Sequence, residues 1–363
     1  MSPTIVFTGG GSAGHVTPNL ALIEVLAKEA WQIHYIGSED GIEKNMLTAL
    51  RIPYHAVSSG KLRRYFSWQN FFDPLKILVG VGQSYRLMRK IKPDVVFSKG
   101  GFVAFPVVVG AWLNRIPVIA HESDLSPGLA NRLCFPFVDK ICVTFAGAKK
   151  HFKQQEKIEI TGTPIREALF AGSKEKGLAL CGFSQEKPCL LVMGGSQGSA
   201  HLNAVVREAL PELDKNYQVI HLCGKGRVDK TLSTRKNYYQ VEYASQEMAD
   251  LFAASDLVVS RAGANSVYEI LALSKPHVLI PLSMKASRGD QIQNANYFNK
   301  LGISLVVDDE ALTAAQFLHA VSTVYEARDA IRAKIQALQI ESATFKIIGL
   351  IKEQLHVESA KTA

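Results

Sequence analysis

Short apolar runs alternate with longer amphipathic stretches along the whole chain. A first series of runs begins at Ile5–Thr8 and a second at Cys189–Met193, and runs of this length predict buried strands. Intervening stretches such as Asn19–Glu29 and Pro74–Lys90 have the length of helices. This alternation predicts an α/β fold with parallel sheets and right-handed crossovers. The predicted strands are Ile5–Thr8, Ile33–Ile36, Val95–Ser98, Val118–His121, Lys140–Val143, Cys189–Met193, Tyr217–Leu222, Tyr239–Tyr243, Leu257–Ser260, His277–Ile280 and Ile303–Val306.

The two series open in the same way, with a strand, a glycine-rich loop and a helix. The first loop is Gly9–His15 and the second is Gly194–Ser199. We therefore predict two Rossmann-like domains whose parallel sheets face each other across a ligand cleft. The turn-forming sequence Thr161–Pro164 separates the series, which places the domains at residues 1–163 and 164–341.

Composition narrows the class of protein. The 363 residues carry 41 Lys and Arg against 33 Asp and Glu, a net charge of +8 that favours an anionic partner. Nucleic acid has only this charge in its support. The five cysteines form no CxxC pair, which predicts a reducing cytoplasm rather than a zinc ribbon or a disulfide framework. The longest uncharged apolar stretch, Phe102–Leu113, contains Pro106 and is shorter than the ~20 residues of a membrane-spanning helix, so no spanning segment is predicted.

The first glycine loop also fits the GxGxxG pattern of dinucleotide-binding domains. That pattern expects an acidic residue at the end of the second strand, where it holds the ribose. The second strand here ends Tyr35–Ser38, and Glu39 and Asp40 lie just beyond it. An NAD-dependent oxidoreductase is therefore a weak alternative, and no cofactor is predicted.

A third glycine turn, Ser260–Ser266, leads into a helix that carries Glu269. A helix start with Ser and Asn residues is suited to phosphate, and the glutamate to a ribose diol. The alternative is a capped helix whose glutamate faces solvent. No two aspartates lie two residues apart, so we predict no metal and assign the charge of a leaving diphosphate to helix ends and basic side chains. Arg166 is one such candidate; it is otherwise a surface arginine.

Two histidines, His15 and His121, follow strand ends, where ligands of open α/β sheets bind. Each is a candidate for function or, alternatively, a structural histidine.

The predicted helix Pro74–Lys90 is apolar over about twice the ~100° arc that a surface helix buries. Basic residues surround its apolar surplus, an arrangement suited to an anionic membrane surface. The alternative is that the whole apolar surface is buried. The predicted membrane residues are Phe71, Leu75, Leu78, Val81 and Trp112.

Six sequence blocks together resemble the MurG family of N-acetylglucosamine transferases, in the family's order and across nearly the whole chain. They are Gly9–His15, Ser98–Val103, His121–Asn131, Gly194–Gly198, Ser260–Gly263 and Arg288–Ala295.

The resemblance implies a GT-B fold in which the C-terminal helix, residues 342–363, packs back on the first domain. It implies an inverting transfer of N-acetylglucosamine (GlcNAc) from UDP-GlcNAc to the 4-hydroxyl of the N-acetylmuramyl unit of undecaprenyl-diphosphate-MurNAc-pentapeptide (lipid I). The products are lipid II, the precursor of peptidoglycan, and UDP. The family works at the cytoplasmic face of the cell membrane, with cell-wall and division proteins as further possible partners.

The resemblance also implies site residues. The implied UDP-GlcNAc-binding residues are Ser12, Ala13, Gly14, Arg166, Ser196, Gln197, Ser245, Ala264, Asn265, Ser266, Glu269 and Gln291. The implied acceptor-binding residues are Gly10, Gly11, Gly100, Gly101 and Asn131.

An inverting transfer requires one base on the acceptor hydroxyl. The candidates are His15, which is favoured, Glu122 and Asp124. Many relatives carry Asn where this chain has Asp124, and a carboxylate there is itself a candidate base. Another GT-B glycolipid glycosyltransferase and a UDP-GlcNAc epimerase are the alternative functions.

Overall fold

The computed structural model describes residues 2–60, 69–195 and 198–362 of the chain. The chain forms two compact units, the first made of Met1–Arg166 and Ser342–Ala363 and the second of Glu167–Glu341. The chain crosses from the first unit to the second after Arg166, three residues beyond the boundary predicted after residue 163.

The first unit is built on a parallel seven-stranded sheet in the order β3-β2-β1-β4-β5-β6-β7. Its strands are β1 (Thr4–Thr8), β2 (Gln32–Gly37), β3 (Tyr54–Ala56), β4 (Val95–Ser98), β5 (Val118–Glu122), β6 (Lys140–Val143) and β7 (Ile158–Ile160). Its helices are α1 (Ala13–Lys28), α2 (Ile42–Ala49), α3 (Gln69–Ile91), α4 (Ala104–Leu113), α5 (Leu129–Cys134) and the C-terminal helix (Thr344–Thr362).

The second unit repeats this plan with a parallel six-stranded sheet in the order β10-β9-β8-β11-β12-β13. Its strands are β8 (Cys189–Met193), β9 (Gln218–Leu222), β10 (Tyr238–Val241), β11 (Leu257–Ser260), β12 (His277–Leu279) and β13 (Leu305–Val306). Its helices are α6 (Lys174–Cys181), α7 (Ala200–Asn216), α8 (Met248–Ala254), α9 (Ala264–Ala272), α10 (Asp290–Lys300), α11 (Ala314–Glu326) and α12 (Arg328–Ala337).

The strand order confirms the predicted pair of Rossmann-like sheets. In each unit the first strand lies in the middle of the sheet and the connections then reverse direction, between β1 and β4 and between β8 and β11. Crevices at such reversals, outside the carboxyl ends of the strands, are where open α/β sheets bind ligands. The sequence analysis missed β3 and β7, because each is a three-residue edge strand with no continuous apolar run.

The C-terminal helix belongs to the core of the first unit. Ile347 and Ile351 are fully buried in the same cluster as Leu22 and Leu26 of α1. An ion pair of 2.8 Å between Lys352 and Glu29 lies at the edge of this contact. The chain end therefore completes the packing of the unit that its beginning forms.

Two glycine turns of the first unit meet through their backbones. Gly10 N donates to Gly100 O at 3.3 Å. Gly101 has a φ of +88°, and a Cβ placed on it would lie 2.2 Å from the carbonyl oxygen of Gly10. Only glycine permits both the positive φ and this approach.

Among the described residues, no helix has both the length and the apolar character needed to cross a membrane.

We predict that Gly101→Ala lowers the midpoint of thermal unfolding by several degrees, because the added methyl strains the backbone by ~1–2 kcal/mol and collides with Gly10 O. Gly82→Ala is the matched control. Gly82 lies in α3 with open space around it, so alanine there is expected to leave the midpoint unchanged or to raise it. Equal midpoints for the two variants would contradict the proposed close contact.

Candidate active site

The glycine turn after β1 brings His15 to the carboxyl end of the first sheet. Ser12 precedes α1, and His15 lies in the first turn of that helix, partly exposed. His15 Nδ1 lies 3.0 Å from Gly10 O and 3.0 Å from Ser12 Oγ. Because a carbonyl oxygen only accepts, the first contact assigns the ring proton of the neutral imidazole to Nδ1. Nε2 then carries the lone pair of a base.

The glycine turn after β1 is also held by Glu43, a buried glutamate that was not among the predicted site residues. Glu43, fully buried in α2, accepts from Gly11 N at 3.2 Å and from Ser38 N at 3.0 Å. Its carboxylate fills the space where a Cβ on Gly10 would lie. The signal in the sequence was weak, since a single glutamate near a helix start reads as a surface residue.

Glu122, the last residue of β5, organises the segment that follows it. The side chain is 5% exposed, and its carboxylate accepts three hydrogen bonds. These come from Asp124 N at 3.0 Å, Gly128 N at 3.0 Å and Asn131 Nδ2 at 2.9 Å. The three donors satisfy a carboxylate that solvent barely reaches. Glu122 thereby shapes the loop between β5 and α5.

Asn131, predicted to bind the acceptor, is itself buried in this arrangement. Its amide nitrogen donates to Glu122 and, at 3.3 Å, to His121 O. The side chain thus supports the loop from within.

His121 is a structural histidine of the sheet. It is fully buried, with Nε2 2.8 Å from Gly162 O. Burial, assisted by the charge of Lys99, holds the pKa of His121 well below its usual value, so the ring is neutral.

Lys99 is a further buried residue of this site, one to which the sequence analysis assigned no role. It follows β4 directly, is 2% exposed, and donates from Nζ to Ser123 Oγ. The sequence did carry a signal for a buried lysine at this position, because Lys99 ends an apolar parallel strand and directly precedes two glycines.

In the second unit, the turns after β11 and β12 lie side by side. Gly263 precedes α9, which places Ala264, Asn265 and Ser266 in the first turn of that helix and Glu269, partly exposed, one turn further. Gln291, in the first turn of α10, accepts from Leu282 N at 3.1 Å. Its Nε2 lies 4.0 Å from the Cβ position of Gly263. The two helix starts therefore present backbone N–H groups and the Gln291 side chain together.

Arg261, which was quoted only as part of a motif, connects the turns of the second unit. It is buried and donates to Ser199 Oγ at 2.5 Å and to Ile280 O at 3.1 Å. It also pairs with Asp309 at 2.8 Å. Since Ser199 caps α7 by accepting from Leu202 N, Arg261 joins the loop after β8 to the ends of β11 and β12.

The remaining predicted residues are more scattered. Arg166 is the last residue of the first unit and is partly exposed, and Ser245 is an exposed residue in the segment after β10. Ser196, Gln197 and the side chain of Ala13 lie outside the described residues. Within the described ranges, no group of three or more His, Cys, Asp or Glu residues is arranged to hold a metal ion.

An apolar surface lies on α3 and α4. Leu75 and Leu78 are 60% and 67% exposed, and Trp112 of α4 is 51% exposed. This surface differs from the predicted membrane residues at one position. Val81 was predicted to be exposed but is partly buried, whereas Val79 is exposed. Leu75, Leu78 and Val79 follow the i, i+3, i+4 spacing of one helix face, and Val81 lies off that face. The Phe71 side chain lies outside the described part.

Exposed basic residues accompany this surface on α3, namely Lys76, Arg86, Arg89 and Lys90.

Comparisons with known proteins agree with this architecture. Residues 5–143 match the N-terminal domain of glycosyltransferase family 28, and residues 189–347 match its C-terminal domain. A protein of Legionella pneumophila (strain Paris) is 64% identical over 99% of both chains, and one of Clostridium tetani is 50% identical over 97% of this chain and 98% of its own. Both are named UDP-N-acetylglucosamine--N-acetylmuramyl-(pentapeptide) pyrophosphoryl-undecaprenol N-acetylglucosamine transferase. The crystal structure of Acinetobacter baumannii MurG shares the fold, with a TM-score of 0.76 at 24% identity over 97% of this chain and 99% of its own.

We predict that Glu122→Gln accelerates amide hydrogen exchange in residues 123–131. A glutamine turns a donor toward at least one of the three groups that now donate to the carboxylate, at a cost of ~1–3 kcal/mol. Exchange is expected to rise by about tenfold or more. Glu159→Gln is the control, because the Glu159 side chain is 43% exposed and its ion pair with Lys140, at 3.7 Å, lies at the surface. Unchanged exchange in 123–131 would show that Glu122 does not hold this loop.

Proposed function

The chain belongs to the MurG family, within glycosyltransferase family 28, and we propose that it forms lipid II by moving GlcNAc from UDP-GlcNAc to the N-acetylmuramyl unit of lipid I. The observation that carries this proposal is the match of both units, in order, to the two domains of one glycosyltransferase family. Relatives with this activity in their names match end to end.

The reaction is an inverting displacement at C1 of GlcNAc. The acceptor 4-hydroxyl oxygen forms the new bond to C1, while the bond between C1 and the phosphate oxygen breaks and UDP leaves with its electron pair. The hydroxyl proton passes to a base of the protein. The new linkage has the configuration opposite to that of the donor, because attack and departure occur on opposite faces of the sugar.

His15 is the base in this proposal. The contact of its Nδ1 with Gly10 O orients the ring and leaves the lone pair on Nε2. Imidazole is the side chain that most often serves as a general base in enzymes. Glu122, whose carboxylate accepts three hydrogen bonds, shapes the loop between β5 and α5, and Asp124 is the alternative base.

The second unit binds the donor in this proposal. The N–H groups at the start of α9 bind the diphosphate with Ser196, and Glu269 accepts from the ribose hydroxyls. Gln291, beside Gly263, contacts the sugar hydroxyls, and the backbone at Ser245 meets the uracil. The positive N-terminal end of the α9 dipole and nearby basic side chains stabilise the negative charge that develops on the departing UDP.

The acceptor is a lipid, and the apolar surface of α3 and α4 offers a place for the membrane. Its exposed leucines and tryptophan lie among basic residues, which attract anionic headgroups. We infer peripheral attachment at the cytoplasmic face of the membrane.

The test is release of UDP from UDP-GlcNAc with and without a short-chain lipid I analogue. Release that requires the analogue, with a disaccharide product identified by mass, supports the transfer. UDP release at the same rate with and without the analogue points to an epimerase or to hydrolysis of the donor. UDP release that requires another lipid, and does not occur with the lipid I analogue, points to a different glycolipid transferase.

We predict that His15→Ala lowers kcat by about 10²–10⁴-fold and leaves the KM for UDP-GlcNAc within a few-fold of wild type, because a general base acts on the acceptor. The measurement is steady-state UDP release with the soluble analogue. His319→Ala, at an exposed histidine of α11, is the control and should retain full activity. Near-normal turnover by His15→Ala would remove this residue from the role of base.

We predict that Leu75→Glu combined with Leu78→Glu weakens binding to anionic liposomes by about tenfold or more, since two exposed leucines exchange apolar contact for charge repulsion. Turnover of the soluble analogue should be spared. The matched control is Leu180→Glu with Leu338→Glu, at comparably exposed leucines of the second unit. Equal liposome binding by the two double variants would exclude α3 as the membrane surface.

A further inference from the structure

The buried ammonium group of Lys99 is a charge in the described part of the first unit that has no role in the proposed reaction so far. Lys99 N donates to Thr8 O at 2.9 Å, so the residue continues the pairing of β4 with β1 at the point where both strands end. Its side chain turns inward, and only 2% of the residue is exposed. An ammonium group is excluded from water at a high cost unless opposite charges and acceptors surround it.

Those partners come from the loop after β5. Nζ donates to Ser123 Oγ, and Ser123 lies in the chain between Glu122 and Asp124. Both carboxylates stabilise the protonated lysine, Glu122 more strongly than Asp124. His121, neutral in the sheet, is the other titratable group that senses the Lys99 charge. Burial, opposed by these carboxylates, lowers the pKa of Lys99 to about 8, so the group is charged at neutral pH.

The two carboxylates differ in their surroundings. Glu122 is buried and accepts three hydrogen bonds from its own loop. Asp124 is partly exposed and lies where the loop reaches solvent. Of the two carboxylates that stabilise the Lys99 charge, Asp124 is therefore the one more accessible to solvent.

We propose that Lys99 is a positioning residue of the transfer: through Ser123 Oγ it anchors the loop between β5 and α5 (the acceptor loop), and its charge offsets that of Asp124 in the same loop. The inference rests on the proposed function, since the acceptor loop is the segment that would meet lipid I. It assigns to Lys99 an electrostatic role that an apolar side chain of the same length would not supply.

A double-mutant cycle between Lys99 and Asp124 tests this role. The proteins are wild type, Lys99→Met, Asp124→Asn and the double variant, each checked for folding by circular dichroism and thermal unfolding. The readout is kcat/KM for the soluble lipid I analogue from pH 5.5 to pH 9.5. Methionine keeps the length of the side chain and removes the charge.

The proposal predicts that Lys99→Met lowers kcat/KM at pH 7 by about tenfold or more. Wild-type activity should fall as the pH rises through about 8, where Lys99 loses its proton, and this limb should be absent from Lys99→Met. Asp124→Asn is expected to lower kcat/KM in the wild type. In the Lys99→Met background, the fold-loss of kcat/KM caused by Asp124→Asn should be smaller by a factor of at least ~10.

Additive effects with an unchanged pH profile would overturn the proposal and leave Lys99 a purely structural residue. Ser123→Ala keeps the test decisive if Lys99→Met does not fold. It should raise the KM for the acceptor analogue several-fold and leave that for UDP-GlcNAc unchanged, and unaltered acceptor kinetics would equally overturn the proposal. Absence of transfer by the wild type would count against the proposed function itself, a result distinguishable from these.

Discussion

A carboxylate that is nearly excluded from solvent requires hydrogen-bond donors, and Glu122 obtains three of them from the loop that follows it. This requirement determines the course of the chain from β5 to α5. Because Asn131 is one of the donors, the start of α5 is tied to the end of β5. The same loop carries Ser123, the acceptor of the Lys99 hydrogen bond, and so connects β5 to the end of β4. The acceptor site that we propose depends on this set of buried polar contacts.

In the second unit, the buried charged group that requires partners is the guanidinium of Arg261. Arg261 donates to Ser199 and Ile280, forms an ion pair with Asp309, and thereby joins the ends of three strand–helix connections. In both units, the turns that form the proposed binding sites are glycine-rich and offer backbone groups, while a buried charged side chain stabilises their geometry. A site that binds diphosphates needs rigid N–H groups, and this arrangement supplies them without placing the fixing charge in the ligand's path.

The alternation of strands and helices, the doubled glycine loop and the six motif blocks were sufficient to predict the fold and the transferase activity. They were sufficient because parallel strands buried on both faces leave continuous apolar runs, as in β1 and β8. Strands β3 and β7 were missed because edge strands of three residues leave no such run. The roles of Glu43, Lys99 and Arg261 were missed for a different reason. Their partners are distant in sequence, so only the folded chain shows that these charges are buried and paired.

We propose that the first unit binds the acceptor and that the second unit binds the nucleotide. Hydrogen exchange of the whole chain, measured with UDP alone and then with the soluble lipid I analogue alone, tests this division. We expect UDP to slow exchange at residues 263–269 and the analogue to slow exchange at residues 100–101 and 123–128. Protection of the β5–α5 loop by UDP, with no response of that loop to the analogue, would contradict it.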